Sequence, residues 1–221
     1  MELTPRLALA ADYCRGSRRV IDVGCDHAYL SIALVRQGVE RAYASDLRPG
    51  PLAAAKAHIA AVGEEGRIST VLCSGLEAFS PEDADTVVIC GMGGELIASI
   101  LEAAPWTKQG EHRLILQPMT QSQRLRQWLA EAGYTVEREG LAREGKHLYT
   151  LLQARGGKPP MGEETGYLFT RHLTADPLFP DYLRQLRNKY ARAAAGKQAA
   201  GLPTPEEDAI LKRLEEWSHG A

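Results

Sequence analysis

The sequence predicts an α/β protein: a doubly wound, mostly parallel sheet finished by an antiparallel hairpin, followed by a small α-helical hairpin. Three observations carry this. Short apolar runs alternate with helix-period segments as far as Gly133. Two further runs, Tyr134 to Glu139 and Leu148 to Gln153, then follow with no helix between them. Past Arg155-Gly156-Gly157-Lys158-Pro159-Pro160, a linker by composition, only helical periodicity remains. The expected domains are 1–155 for the sheet and 156–221 for the helices.

Taken in order, Leu7 to Cys14 reads as a short helix, ahead of a basic loop at Arg15, Arg18 and Arg19. Arg19 to Val23 is a strand, Ala28 to Arg36 a helix and Arg41 to Asp46 a strand. Pro51 to Val62 is a helix with proline near its first turn, where the missing N–H is not needed. Ile68 to Cys73 and Thr86 to Cys90 are strands, and Glu95 to Ala103 is a helix. Leu114 to Gln117 is a strand, and Gln121 to Ala132 a helix stopped by Gly133. Runs such as Thr86-Val87-Val88-Ile89-Cys90 suit a parallel sheet covered on both faces. Five strands joined by helices make it doubly wound.

The connector Gly140 to His147 is turn-like and charged, so the last two strands form an antiparallel hairpin at the sheet edge. A parallel sheet closed in this way is typical of class I methyltransferases, and less so of dinucleotide dehydrogenases. Beyond the linker, Pro180 to Ala195 places Leu183, Leu186 and Tyr190 on one helical face. A second helix opens at Thr204-Pro205-Glu206-Glu207, a capping box with proline at the first helical position. It buries Ile210, Leu214 and Trp217 at three- and four-residue spacing. Ala199 to Pro203 is the turn of an antiparallel pair.

The 221 residues suffice for one sizeable α/β domain and a small appendage. Hydrophobic residues make up 44% and charged residues 24%, the balance of a globular protein in water. No apolar run approaches the roughly 20 residues of a membrane span. Met1-Glu2-Leu3-Thr4-Pro5-Arg6 lacks the basic and apolar regions of a signal peptide, so the expected location is cytoplasmic. Cys14, Cys25, Cys73 and Cys90 form no C-x-x-C pair and fit neither a zinc site nor a disulfide framework, so no metal is expected. The net charge of −2 excludes a uniformly basic surface but leaves room for a local basic stripe.

The chemistry is expected beyond the carboxyl ends of the strands. Val20 to Leu30 is an apolar run that ends in Asp22, passes Gly24 and enters a helix. Gly24 lets backbone approach a ligand, and Asp46, closing the next strand, can accept both ribose hydroxyls. A helix N-terminus suits phosphate. Asp22 and Asp26 beside one argue instead for a cationic, phosphate-free nucleoside, of which S-adenosylmethionine is the common example. The same strand–glycine–helix turn is also generic in α/β proteins.

Three other loops face the same end. In Cys73-Ser74-Gly75-Leu76, a backbone amide and the Leu76 side chain could hold an adenine ring, or Gly75 could be a simple turn. Cys90-Gly91-Met92-Gly93-Gly94-Glu95-Leu96 brings backbone close to a neighbour but lacks the last glycine of a dinucleotide G-x-G-x-x-G. Glu95 suits the first helical turn through the macrodipole, a structural role. Gln117-Pro118 ends the fifth strand, where Gln117 can hydrogen-bond an acceptor group. His27 stands at the cleft mouth, and Tyr29 packs on the helix face or stacks on a base.

Together these pieces resemble the bacterial tRNA adenine-N1 methyltransferases that modify position 22, the TrmK family. The resemblance rests on Asp22 to Leu30, on Val88 to Ile97 and on Leu114 to Pro118. Arg124 to Leu129 and the hairpin through Lys146 and Tyr149 support it. It covers about residues 1–155 well and the C-terminal helices more loosely. Met119 stands where many members carry asparagine, and no Asx-Pro-Pro-aromatic motif is present. The resemblance implies a Rossmann-like class I methyltransferase domain, S-adenosyl-L-methionine as cofactor, and a C-terminal helical domain that helps hold tRNA. Carried over by position, it sets Asp22, Gly24, Asp26, Asp46, Gly75, Gly91, Met92 and Gly93 around the cofactor, and the apolar Leu76 of the third loop is counted with them as a cofactor contact.

The implied reaction needs no base, because neutral adenine N1 has a lone pair. Asp26, with His27 beside it, is the first candidate for stabilising the positive charge that grows on the base, the alternative being that Asp26 binds the cofactor's amino group. Arg184, Arg187, Lys189 and Arg192, on a stretch to Lys197 without an acidic residue, are the candidate RNA contacts. Three rival readings stay open. A class I methyltransferase acting on a small molecule or protein would not bind bulk tRNA. An NAD-dependent oxidoreductase built on Gly91-Met92-Gly93-Gly94 would prefer NAD to S-adenosylhomocysteine. A non-catalytic RNA-binding module would bind tRNA without transferring methyl groups. The oligomeric state is left open.

Overall fold

A computed structural model describes residues 2–109, 112–157 and 166–219, with side chains as far as Trp217. Met1 and the linker residues Lys158, Pro159 and Pro160 lie outside the described residues. Helix α1 (Pro5–Tyr13) precedes five parallel strands: β1 (Arg19–Val23), β2 (Arg41–Asp46), β3 (Ile68–Leu72), β4 (Thr86–Gly93) and β5 (Arg113–Thr120). Helices α2 (Tyr29–Arg36), α3 (Pro49–Ala61) and α4 (Gly94–Glu102) connect them, while β3 passes to β4 through turns alone. Helix α5 (Ser122–Glu131) leads to the antiparallel pair β6 (Tyr134–Glu144) and β7 (His147–Gly156). One seven-stranded sheet results, in the order β3-β2-β1-β4-β5-β7-β6.

The apolar strands that show no alternation in sequence do alternate in space, because both faces are covered. Val20, Val88 and Ile115 enter one core with α1, α2 and α3. Ile21, Val87, Ile89, Leu114 and Leu116 enter the other, with α4 and α5. The strand order reverses between β1 and β4, the switch point where such sheets bind ligands.

The apolar pattern ends β4 at Cys90 and β5 at Gln117; both strands run further. Register shifts on either side of Met92 let β4 continue to Gly93 beside Thr120. Gly91 sits at such a shift with φ of 82°. An irregularity of this kind bends a strand and re-aims its side chains. The charged segment Gly140 to His147, a connector by composition, is mostly ladder. Gly140 pairs with Leu151 and Glu144 with His147, leaving a two-residue turn at Gly145 and Lys146. Gly145 takes the positive φ, 58°, that tight hairpin turns need.

Packing explains that extension. Leu141 and Leu148 from the hairpin join a third core with Phe169, Phe179, Leu183, Leu186, Ile210 and Leu214. Helices α6 (Phe179–Ala199) and α7 (Pro205–His219) pack on each other, and this core joins the pair to the hairpin. Thr204 Oγ1 donates to Asp208 at 2.9 Å. Glu207, by spacing the return half of a capping box, instead reaches Lys197 of α6 at 2.6 Å. Two 3₁₀ turns, Pro105–Lys108 and Arg171–Ala175, have no sequence signal that sets them apart from loop.

Candidate active site

A cleft of about 540 Å³ opens at the carboxyl ends of β1, β2, β3 and β4. That is the size range of small-molecule sites. Asp22, Gly24, Asp26, His27, Asp46, Gly75, Gly91 and Met92 all line it. Two of the expected cofactor residues do not. Leu76 is turned into the core beside α4, and exposed Leu47 and Leu96 lie on the lining instead. Gly93, the last residue of β4, packs on Thr120, the last of β5, because the irregular end of β4 turns it off the lining.

The first loop is held by the neighbouring strand: the Gly24 and Cys25 amides both donate to the Ser45 carbonyl, at 2.8 and 2.9 Å. Gly24, Asp26 and Ala28 take φ values of 72°, 50° and 58°. Glycine adopts this left-handed region freely and aspartate tolerates it, whereas alanine at Ala28 is strained there. A Cβ on Gly24 would meet Met92 Cε, the movable end of a flexible side chain, so it is the positive φ that calls for glycine here. Asp22 is 4% exposed and accepts from Ser31 Oγ at 2.7 Å. Burial pushes its carboxyl up to about 6, against the hydrogen bonds from Ser31 that pull it down.

Asp46 is buried at the end of β2 and uses Oδ1 to accept from the Arg48 amide at 2.9 Å. Asp26 by contrast is exposed, with His27 Nε2 3.7 Å from its carboxylate. The Tyr29 ring of the lining stacks on both His27 and His58, whose own rings are tilted to each other, with all centroids 5.2–5.5 Å apart. His58 Nδ1 donates to the His27 carbonyl at 3.1 Å. Nothing in the sequence singles out His58, since a lone histidine in an alanine-rich helix carries no motif.

Arg6 is equally silent in sequence. Its Nη1 donates to Gln117 Oε1 at 2.7 Å, its backbone N and Nε bind Glu144, and its guanidinium lies 5.5 Å from the Tyr149 ring centre. The partners are 111 and 138 residues away, so nothing local announces the contact. Gln117 also accepts from the Gly91 amide at 3.1 Å and donates through Nε2 to the Pro118 carbonyl. Its Oε1 thus takes two donors within the protein, pinning Gly91 and Arg6 at the cleft floor. Cys25 and Cys90 also line the cleft; burial raises both thiols well above their usual range, which removes thiolate chemistry from consideration.

Arg184, Arg187, Lys189 and Arg192 are all exposed on α6, remote in sequence from the cleft. Arg184 pairs with Asp181 at 2.7 Å, and Lys189 Nζ lies 5.1 Å from the Tyr190 ring centre. Among the described residues no group of three or more histidine, cysteine or acidic residues could hold a metal ion. No described helix is long and apolar enough to cross a membrane.

Comparison with known proteins agrees with this layout. Residues 3–152 match the family model of a methyltransferase domain. The chain is 35% identical over 158 residues to the tRNA (adenine(22)-N(1))-methyltransferase of Bacillus subtilis, an alignment spanning 71% of this chain and 66% of that protein. Streptococcus pneumoniae Sp1610, solved in complex with S-adenosyl-L-methionine, has 30% identity and a TM-score of 0.84, over 97% of this chain and 99% of that one. M. capricolum TrmK in complex with S-adenosyl-homocysteine gives 26% identity and a TM-score of 0.83, over 98% of each chain.

Proposed function

Since the chain belongs to the family of bacterial tRNA (adenine-22 N1) methyltransferases, we propose that it methylates N1 of adenine 22 in tRNA with S-adenosyl-L-methionine. The observation that carries the reading is the cleft at the sheet's switch point, where Asp22, Asp26 and Asp46 outnumber the lining cations Arg6 and Arg48, and Arg6 is already paired with Glu144. Three carboxylates repel a pyrophosphate, which disfavours a dinucleotide, and suit a ligand with a sulfonium and an ammonium group. Gly24 and Gly91, both at positive φ on the lining, leave bare backbone facing the same ligand.

When bound, S-adenosylmethionine supplies a methyl group on positively charged sulfur, an electrophile that needs no activation by the protein. The residues of this chain then bind and orient. Asp46 would accept the ribose hydroxyls and Asp22 would face the ammonium, with Gly24, Gly75, Gly91 and Met92 shaping the walls. Adenine N1 brings its own lone pair, so the cleft needs no base, and catalysis is mostly in-line positioning. Asp26 would stabilise the positive charge growing on the adenine, with His27 holding its carboxylate. N1 lies on the Watson–Crick edge, so a paired adenosine has to be flipped out at a cost of a few kcal/mol. The half-buried His27 and His58 with exposed Tyr29 between them would offer an aromatic surface for that base. The basic face of α6 would hold the tRNA backbone, and such a substrate carries a cytoplasmic location with it.

Mass spectrometry of nucleosides, after incubation of unmodified tRNA with the protein and labelled cofactor, tests the reading. Labelled 1-methyladenosine, lost when adenine 22 is replaced by guanine, is the expected result. Label in a small molecule or in protein would move the chain to another methyltransferase class.

A further inference from the structure

Helix α6 crosses the β6–β7 hairpin and arrives at the start of α5, a path marked by three contacts. Asp181 pairs with Arg143 of β6, Gln185 meets Leu148 of β7, and the Tyr190 hydroxyl donates to Gln123 Oε1 of α5 at 2.6 Å. The Gln185 contact is specific. Strand β5 pairs with β7 only from Leu152 to Ala154, so the edge of β7 at Leu148 has no strand beside it. Gln185 Oε1 accepts from the Leu148 amide at 2.9 Å, and its Nε2 donates to the Leu148 carbonyl at 3.0 Å. One side chain thus replaces a missing ladder partner.

Asp181, Gln185, Lys189 and Arg192 recur at four- and three-residue spacing, so they form one stripe of α6. The first two members grip the hairpin. Lys189 and Arg192 therefore continue the stripe past the edge of β7, on the side of the carboxyl end of β5 and the cleft. Arg184 and Arg187 lie off this stripe, about 100° and 160° around the helix from Gln185 at 3.6 residues per turn. From the opposite face of the hairpin, Arg6, Tyr149 and His147 lead from the cleft lining to the exposed turn at Lys146.

We propose that Lys146 at the hairpin turn, together with Lys189 and Arg192, forms a phosphate-binding strip beside the cleft mouth. There it holds the RNA backbone next to the adenosine being methylated. The proposal rests on the tRNA reading above and narrows it: of the four basic residues expected from sequence, only the two on the hairpin-side stripe take part, and a loop lysine joins them.

The test is tRNA binding as a function of salt, for the wild type, Lys146→Glu, Lys146→Gln, Lys189→Glu with Arg192→Glu, and Arg184→Glu with Arg187→Glu. Removing the partner of one bound phosphate should flatten the slope of log affinity against log salt by about 0.7–0.9. Both Lys146 variants are expected to lose roughly one such step, the Lys189/Arg192 variant roughly two, and the Arg184/Arg187 variant none. S-adenosylhomocysteine affinity, measured by calorimetry on the same samples, should stay at the wild-type value and reports that the fold is intact. Wild-type slopes in the Lys146 variants, or an equal loss in the Arg184/Arg187 variant, would overturn the strip. If the wild type itself neither binds nor methylates tRNA, the fault lies with the proposed function and not with this surface.

Discussion

Arg126 of α5 and Glu139 of β6 form an ion pair whose side chains are 2% and 0% exposed. The pair has partners on the C-terminal side of the linker. Glu139 Oε2 accepts from the Thr170 amide at 2.8 Å, and Arg126 Nη1 donates to the Tyr167 carbonyl at 3.3 Å. Burial alone would lower the guanidinium pKa, but Glu139 and Tyr182 outweigh it and hold Arg126 charged. The pair therefore ties the sheet to the segment that leads into α6. Removing one member strands the other charge in the interior, so Arg126→Leu or Glu139→Leu should destabilise by about 3–5 kcal/mol. The double replacement by leucine should cost clearly less than the sum of the two. Urea unfolding of all three variants checks this, and additive losses would mean that the two side chains do not act as a pair.

Asp46→Ala should weaken the binding of S-adenosylhomocysteine. A hydrogen bond to a charged acceptor is worth roughly 1.5–3 kcal/mol, which corresponds to tenfold or more in affinity. The Arg48 amide also loses its acceptor, so the tip of β2 loosens as well. Asp46→Asn keeps an acceptor for that amide and separates the two effects. An unchanged dissociation constant in both variants would remove Asp46 from the ribose site.

The buried Asp22 makes stability depend on pH in an unusual direction. Its carboxyl ionises at about 6 in the fold against 3.8 unfolded, so the folded state holds the proton more tightly. Its contribution to stability is complete below about pH 3.8 and is lost as pH rises through about 6. Asp22→Asn removes that dependence. The variant should gain on the wild type between pH 4 and 6, by on the order of 2–3 kcal/mol, and hold the gain above. Paired denaturation curves across this range give the difference, and a gap that stays constant with pH would refute the assignment. Cofactor affinity should move the other way in the wild type, rising as Asp22 ionises and can face an ammonium group.

Asp26→Asn is expected to slow methyl transfer far more than it weakens tRNA binding. The side chain is exposed beside His27 at the cleft mouth, in a loop whose shape depends on backbone contacts to Ser45. Asparagine also tolerates the left-handed backbone at this position, so the loop should keep its form. Single-turnover transfer at the wild-type rate would leave Asp26 without a chemical role.

By itself the sequence determined the strands, the doubly wound order of parts and the loops that make the cleft. Those features are written locally: apolar runs fix β1, β2, β4 and β5, and glycine beside aspartate marks the turns where backbone must come close. Asp22, Gly24, Asp26 and Asp46 are legible for that reason. Tertiary structure alone decided the rest. Gly140 to Glu144 reads as a charged loop until Leu141 finds a core against α6 and α7. Leu76 and exposed Leu47 are equally apolar in sequence, and only the path of the chain sends one to the core and the other to the cleft. Arg6 reaches the floor through partners 111 and 138 residues away, and Gln185 finds an unpaired strand edge 37 residues back. Hydrogen bonds of that span depend on where the whole sheet ends, and no local pattern of residue types encodes it.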